Sequence, residues 1–310
     1  MAVRFLGFLL FAVFFCGLDA SRLTVNQELS TLFNELWMLD VNRLTPGVDY
    51  NISVQGRASY VNQGVHVVQD HASLPLFSSV NEDKLRNITT VSSFLNLLDN
   101  YEHSTGVAER VSTEELTEIN QFLDAVLQTE VMKRAHRYLV SKRQSSSVLR
   151  LFKNQLNLIW FHLYHRQRTS GLDSSGFEHV FVGETKSGME IVGFHNWIQF
   201  YLQEKNNLLD YKGYKAGRHD LPDLDDHVLN LQFSWHGLVK PVGSAFIGTS
   251  PEFEMAVFTI VFLMSTERST TVLVNIDQCQ MELVVIRHGR SLGTAYPKLL
   301  SSNSRHIRQH

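Results

Sequence analysis

Three residues in the second half of the chain have the types needed to move protons around a phosphate: His179, His195 and Lys240. Imidazole titrates near neutrality, so two histidines can supply a general base and a general acid in one turnover. A lysine ammonium beside them can stabilise negative charge building on phosphorus. RNA suits such a set, because its own 2′-hydroxyl is the nucleophile. The protein need only take that proton, protonate the departing 5′-oxygen and neutralise the centre. On spacing alone the pair cannot be told from ordinary polar or core histidines in a chain that has 14 of them.

The elements around these residues read as strands and short helices. Residues 177–182, which include Glu178 and His179, and 190–194 flank Lys186-Ser187-Gly188 and suit a hairpin whose ends bring His179 and His195 into one cleft. A short helix is expected over 197–203, and strands over 228–235, 244–247, 271–276 and 281–287. Residues 252–264 are rich in β-formers, yet Ser250 as N-cap, Pro251 and the acidic first turn favour helix. Upstream the period is helical: 26–39, with Leu29, Leu32, Phe33 and Leu36 in phase, then 130–140 and 148–164. Ser112-Thr113-Glu114-Glu115 is a capping box opening a helix with inner face Leu116, Ile119, Leu123, Val126 and Leu127. The expected fold is α+β, with a helical part over 21–170, a sheet-rich part of antiparallel strands carrying the site over 171–300, and a disordered tail over 301–310.

Several ordered blocks give these residues a context. Gly176-Phe177-Glu178-His179-Val180-Phe181-Val182-Gly183-Glu184, Gly193-Phe194-His195-Asn196-Trp197-Ile198-Gln199-Phe200-Tyr201 and Lys240-Pro241-Val242-Gly243-Ser244 resemble the EndoU family. These are poly(U)-specific endoribonucleases related to the coronaviral uridylate-specific endoribonuclease. Ser250-Pro251-Glu252-Phe253-Glu254 and Thr294-Ala295-Tyr296-Pro297 match further segments, and the similarity runs from about Leu23 to Leu300. The resemblance implies an enzyme that cuts single-stranded RNA at uridylates, leaving 2′,3′-cyclic phosphate and 5′-hydroxyl ends. It implies His195 as base, His179 as acid and Lys240 as charge stabiliser, with Glu178 and Glu184 supporting them. It also implies Ser244, Thr294 and Tyr296 at the uracil, and manganese or calcium as an activator rather than a catalytic Lewis acid.

The remaining features bound the setting. Residues 1–20 have the charged, apolar, small-residue order of a signal peptide, with an apolar run too short to span a bilayer. A secreted, monomeric protein without a membrane segment is the expectation, and the sequons at Asn51 and Asn87 become candidate glycan sites. Cys16 leaves with the leader, so Cys279 is one cysteine too few for an internal disulfide and the fold must rest on its core. It suits a buried small hydrophobe. A net charge of −3 argues against coating nucleic acid non-specifically, so RNA must be recognised locally. His219 to His227 holds the densest set of oxygen and imidazole ligands, with Asp223, Asp225 and Asp226 as metal candidates, though the same composition makes an ordinary solvated loop. His162 and His165 read as structural. The rival to the ribonuclease is a non-catalytic RNA- or matrix-binding module on the same fold, whose mark would be loss of a histidine or the lysine. A metal-dependent phosphodiesterase is a third option, which the catalytic blocks do not favour because they lack clustered ligands.

Overall fold

Asn26 starts the first helix, α1 (Gln27–Leu39), by accepting from the Leu29 amide at 2.9 Å, and Leu29, Leu32, Phe33, Leu36 and Trp37 form its buried stripe. The computed structural model describes residues 23–167, 171–216, 222 and 227–302. The leader over 1–20 therefore lies outside the described residues, as do Asp223, Asp225 and Asp226. After α1 come β1 (Tyr50–Ile52) and β2 (Phe77–Val80), an antiparallel pair, then α2 (Glu82–Asn87), α3 (Thr89–Leu95) and β3 (Ser104–Thr105). These strands make the first half less purely helical than its periodicity suggests. They are too short for an alternation to show.

The capping box holds. Ser112 and Glu115 cap each other at the start of α4 (Thr113–Gln128), whose buried face is Ile119, Phe122, Leu123, Val126 and Leu127. Leu116, expected on that face, is 49% exposed, because neighbouring elements cover the helix only from the next turn on. α5 (Glu130–Ser141) and α6 (Leu149–Trp160) follow. The helix expected to reach 164 stops at Trp160; Tyr164 instead bridges to Ser174, with its amide bonded to the Ser174 carbonyl at 2.9 Å.

The second half departs from expectation at one decisive place. Residues 177–182 are not a hairpin strand. Glu178–Val182 form a widened helical turn in which the Gly183 amide bonds to the Glu178 carbonyl five residues back, at 2.9 Å. An apolar run flanked by glycines reads equally well as a buried strand, and tertiary packing decides. Phe177 and Phe181 are wholly buried in an aromatic cluster with Phe94, Phe122 and Phe161, ring centres 4.8 to 6.4 Å apart. The hairpin proper is β4 (Glu184–Lys186) with β5 (Glu190–Val192), and β3 pairs with β4 in parallel.

Beyond it lie α7 (Trp197–Lys205), β6 (Leu209–Tyr214), β7 (Val228–Trp235), β8 (Leu238–Phe246), α8 (Pro251–Met264), β9 (Ser269–Ile276), β10 (Cys279–His288) and β11 (Ser291–Ser302). Two antiparallel sheets result, in the orders β6-β7-β8 and β11-β10-β9. β6 and β11 were not anticipated, and β8 starts six residues before the expected strand. β8 contains Pro241 and β11 contains Pro297, and both strands are at the edges of their sheets, where proline is tolerated. The β7–β8 register also shifts between Leu231 and Phe233, the bulge that accommodates Pro241. Ser301 and Ser302 belong to β11 rather than to a tail, and residues 303–310 lie outside the described residues. α8 is buried from Pro251 to Phe262 on every side, Glu252 and Glu254 included, which makes it the central core helix despite its β-branched content. Cys279 is buried in β10, and among the described residues no helix is long and apolar enough to cross a membrane.

Candidate active site

His179 and His195 are held together by backbone, not by the ends of a hairpin. The Phe194 amide bonds to the His179 carbonyl at 2.9 Å, and the His195 amide to the Val180 carbonyl at 2.7 Å. The chain can approach so closely because residue 193 is glycine. A Cβ there would sit 1.8 Å from the His179 carbonyl oxygen, and its φ of +63° favours glycine besides. Asn196 then caps α7, accepting from the Gln199 amide at 3.0 Å, and Gln199 Nε2 donates to the Val182 carbonyl at 3.2 Å. That second bond fastens α7 to the turn carrying His179. Lys240 comes from β8 and donates from Nζ to the Ile191 carbonyl at 3.1 Å.

All three groups line one cavity of about 700 Å³, together with Asn230, Ser244, Thr294 and Tyr296. Each imidazole has a fixed Nδ1 partner, and the two partners differ. His195 Nδ1 meets the Ser244 carbonyl oxygen at 2.9 Å. A carbonyl only accepts, so Nδ1 carries the hydrogen and Nε2 keeps its lone pair when the ring is neutral. His179 Nδ1 bonds to the Glu184 carboxylate, which also receives Arg166 Nε at 3.1 Å. Burial holds both histidines well below the usual imidazole range; the Arg166 and Lys240 cations add to this at His179, and Lys240 and His179 at His195. Burial pushes Glu184 up to about 7 against the pull of Arg166, and brings Lys240 down to about 8. The cavity is thus poised to gain charge stabilisation from a phosphate anion.

Glu178 takes no part in this contact. Its carboxylate accepts from the Ser175 amide at 3.2 Å while its own amide donates to Ser175 Oγ at 3.1 Å, a reciprocal cap on the widened turn. Burial and the neighbouring Glu184 carboxylate push its pKa well above the usual range. On the far wall, Ser244 Oγ donates to Asn230 Oδ1 at 2.7 Å. Tyr296 stacks on the His195 ring, centroids 4.9 Å apart at 26°. Thr294, two residues before it and so on the same side of β11, has a buried hydroxyl without a hydrogen-bond partner. His162 and His165 are exposed and stand apart from this cavity. Among the described residues no three His, Cys, Asp or Glu side chains are grouped to hold a metal ion, and the candidates Asp223, Asp225 and Asp226 lie outside those residues.

The same arrangement of blocks recurs in known proteins. The family model described as Endoribonuclease XendoU matches residues 28–297. This chain belongs to the XendoU endoribonuclease family. It is 70% identical over 289 residues to the Uridylate-specific endoribonuclease C of Danio rerio, covering 93% of this chain and 94% of that one. It is 58% identical over 282 residues to the Poly(U)-specific endoribonuclease of Xenopus tropicalis, covering 90% and 96%. The solved structure titled "The structure of XendoU: a splicing independent snoRNA processing endoribonuclease" superposes with a TM-score of 0.81 at 56% identity, covering 90% of this chain and all of that one.

Sequence reasoning missed three members of this XendoU-family site. Arg166 fixes Glu184 and also donates to the Gly293 carbonyl at 2.8 Å, tying the His179 support to β11. Asn230 orients the Ser244 hydroxyl, and Gly193 permits the histidine segments to meet. Nothing local marks Arg166 or Asn230, whose partners are brought up by the fold. Gly193 stands inside one of the quoted blocks, where a glycine two residues before a histidine was a legible sign of close backbone approach.

Proposed function

We propose that this endoribonuclease cuts single-stranded RNA at uridylates by attack of the substrate's 2′-hydroxyl. The relatives named for uridylate or poly(U) specificity support the substrate. The observation that carries the mechanism is the different Nδ1 partner of each imidazole in one cavity with Lys240. His195, with a carbonyl on Nδ1, is the ring that stays neutral with Nε2 bare, and it takes the 2′-hydroxyl proton. The O2′–P bond forms and the P–O5′ bond breaks. His179, whose imidazolium the Glu184 carboxylate stabilises once phosphate charge enters the cavity, gives its proton to O5′. Lys240 meets the charge on the non-bridging oxygens. The products carry a 2′,3′-cyclic phosphate and a 5′-hydroxyl.

Uracil is placed against Tyr296 and read by Ser244, with Thr294 Oγ1 as a further group for the nucleotide. The assembled His179, His195 and Lys240 favour this reading over a non-catalytic binding module. Manganese or calcium is retained as an activator through RNA binding or loop order, and no step runs through it. The protein is proposed to be secreted, monomeric and glycosylated at Asn51 and Asn87, both of which are exposed. The test is cleavage of a labelled oligonucleotide with a single uridine, followed by identification of the ends. A 3′-phosphate absent any cyclic intermediate, or cutting without regard to the uridine, would reject the proposal.

A further inference from the structure

A second cavity carries more arginine than the one that holds the histidines. Between Val131 and Trp160 the chain has seven Lys or Arg and no Asp or Glu, in a protein of net charge −3. Four of those cations are paired: Lys133 with Glu130, Arg134 with Glu35, Lys142 with Glu28 and Lys153 with Asp124. Among the described residues Arg137, Arg143 and Arg150 have no carboxylate partner, and neither has Arg290. Arg143 and Arg290 are exposed and, with Arg287, line a cavity of about 750 Å³ between the α5–α6 connection, one face of α6 and the β10–β11 turn. Ser145, Ser146 and Asn154 add neutral hydrogen-bonding groups to the same walls.

The floor is fixed while the rim is free. Arg287 packs over the Phe262 ring at 3.6 Å and donates from Nε to the Ser265 carbonyl at 3.2 Å, so its charge stays in place. α6 begins beside Ser145 and Ser146 with Val148 as N-cap and no side-chain cap, which leaves first-turn amides for an outside acceptor. Three guanidinium groups facing one cavity repel one another unless an anion lies between them. Their planar forks match phosphate oxygens better than a point charge would.

We propose that this cavity is a second anchoring site for RNA, taking backbone phosphodiesters of the strand at a distance from the cleaved bond. This rests on the ribonuclease reading above. β11 supplies the geometry: it leaves the turn at Ser291, next to Arg290, and carries Tyr296 to the catalytic cavity. At a rise of about 3.3 Å per residue the two sites lie roughly 20 Å apart along the strand. A strand of several nucleotides reaches both. A trinucleotide does not.

The variant Arg143→Ala/Arg290→Ala removes two exposed side chains that take no part in the catalytic cavity. With a strand of about 20 nucleotides holding one uridine, kcat/KM should fall about fivefold, the size of two exposed ionic contacts. With a trinucleotide holding the same uridine it should not change. Binding to a fully 2′-O-methylated strand of the longer length, followed by anisotropy, should lose about 1.4 from the slope of log Kd against log salt, at about 0.7 per phosphate contact. Equal losses on both lengths, or an unchanged slope, would overturn the proposal. So would a variant that binds RNA normally but no longer binds phosphatidylserine vesicles, since the cavity would then serve a lipid surface. Failure of the wild-type protein to cut either substrate at uridine would reject the catalytic reading instead, and the anisotropy slope would still decide the anchor.

Discussion

The Ser244 carbonyl accepts from His195 Nδ1 at 2.9 Å, while the Ser244 hydroxyl donates to Asn230 Oδ1 at 2.7 Å. One residue therefore sets the tautomer of His195 through its backbone and presents a hydroxyl lone pair to the cavity through its side chain. A lone pair matches the N3–H of uracil and meets only an acceptor at N3 of cytosine. Ser244→Ala keeps the backbone contact, so it should narrow the gap between uridine and cytidine with a smaller effect on the uridine rate. Tyr296→Ala should weaken cleavage at every base, since stacking is worth about 1–3 kcal/mol per base and tolerates base identity. Rates on matched substrates with U, C or A at the cut site separate the two. A U-to-C ratio untouched by Ser244→Ala would place specificity elsewhere.

Removal of a proton-transfer group should be far more costly. His179→Ala and His195→Ala should each lower the rate by about 100- to 10,000-fold, the usual worth of general acid–base catalysis, with the melting curve showing a folded protein. Lys240→Ala should fall comparably, because it also leaves the Ile191 carbonyl without its donor. A substrate with 2′-O-methyluridine at the cut should bind but not react. Efficient cutting of that substrate would mean an activated water and a different mechanism.

The pH profile should carry the mark of Lys240. Burial lowers its pKa to about 8, so its charge is complete below that pH and is lost as pH rises through it. In the free enzyme, which kcat/KM reports, the lowered pKa of His179 begins the alkaline fall, and loss of the Lys240 charge should add a steeper limb near 8. Lys240→Arg keeps its charge at any accessible pH and should be slower, with the limb near 8 moved upward. On the acid side His195 must be neutral to act as base. Its lowered pKa predicts that activity persists below the ordinary imidazole value of about 6.5. An alkaline limb unmoved in Lys240→Arg would assign it to another group.

Much of this was legible in local sequence, and the failures share one cause. Ser112 with Glu115, and Ser250 with Pro251, start α4 and α8 as their types require, because caps act within a few residues. The closeness of His179 and His195 was expected on a mistaken ground, since residues 177–182 curl into a widened turn. Phe177 and Phe181 are drawn there by rings from α3, α4 and the end of α6, which no window around them contains. Arg166 and Asn230 were missed for the same reason. β8 begins six residues before the strand expected there and β11 was not expected; both carry a proline, which an edge strand tolerates, and edge position is a property of the assembled sheet.

Chelation gives a further test of what the three side chains do unaided. With His195, His179 and Lys240 assigned to the three chemical tasks, protein treated with chelator should keep a slow, measurable rate that manganese or calcium raises. Replacing Asp223, Asp225 and Asp226 by Asn should blunt that rise while leaving the slow rate alone. Zero activity under chelation at high enzyme concentration would give the metal a larger part than an activator has.

Gly193 is where backbone geometry and chemistry depend on the same atom. Its φ of +63° and its place against the His179 carbonyl leave no room for a Cβ, which would come within 1.8 Å of that oxygen. Gly193→Ala must therefore push residues 193–195 away from 179–180, stretching the 2.9 Å and 2.7 Å bonds that set the histidines side by side. The strain alone, of order 1–3 kcal/mol, predicts a lower melting temperature. The catalytic loss should be larger than the stability loss explains, because displacing a positioned group by about 1 Å can cost about a hundredfold in rate. Gly188 supplies the comparison: it has a similar φ of +62°, in the β4–β5 turn, but nothing within 4 Å of its Cβ position. Gly188→Ala should lower stability by a similar strain and leave kcat nearly intact at a temperature where both variants are folded. If the two variants lose activity equally, the Gly193 contact does not set the spacing of the catalytic pair.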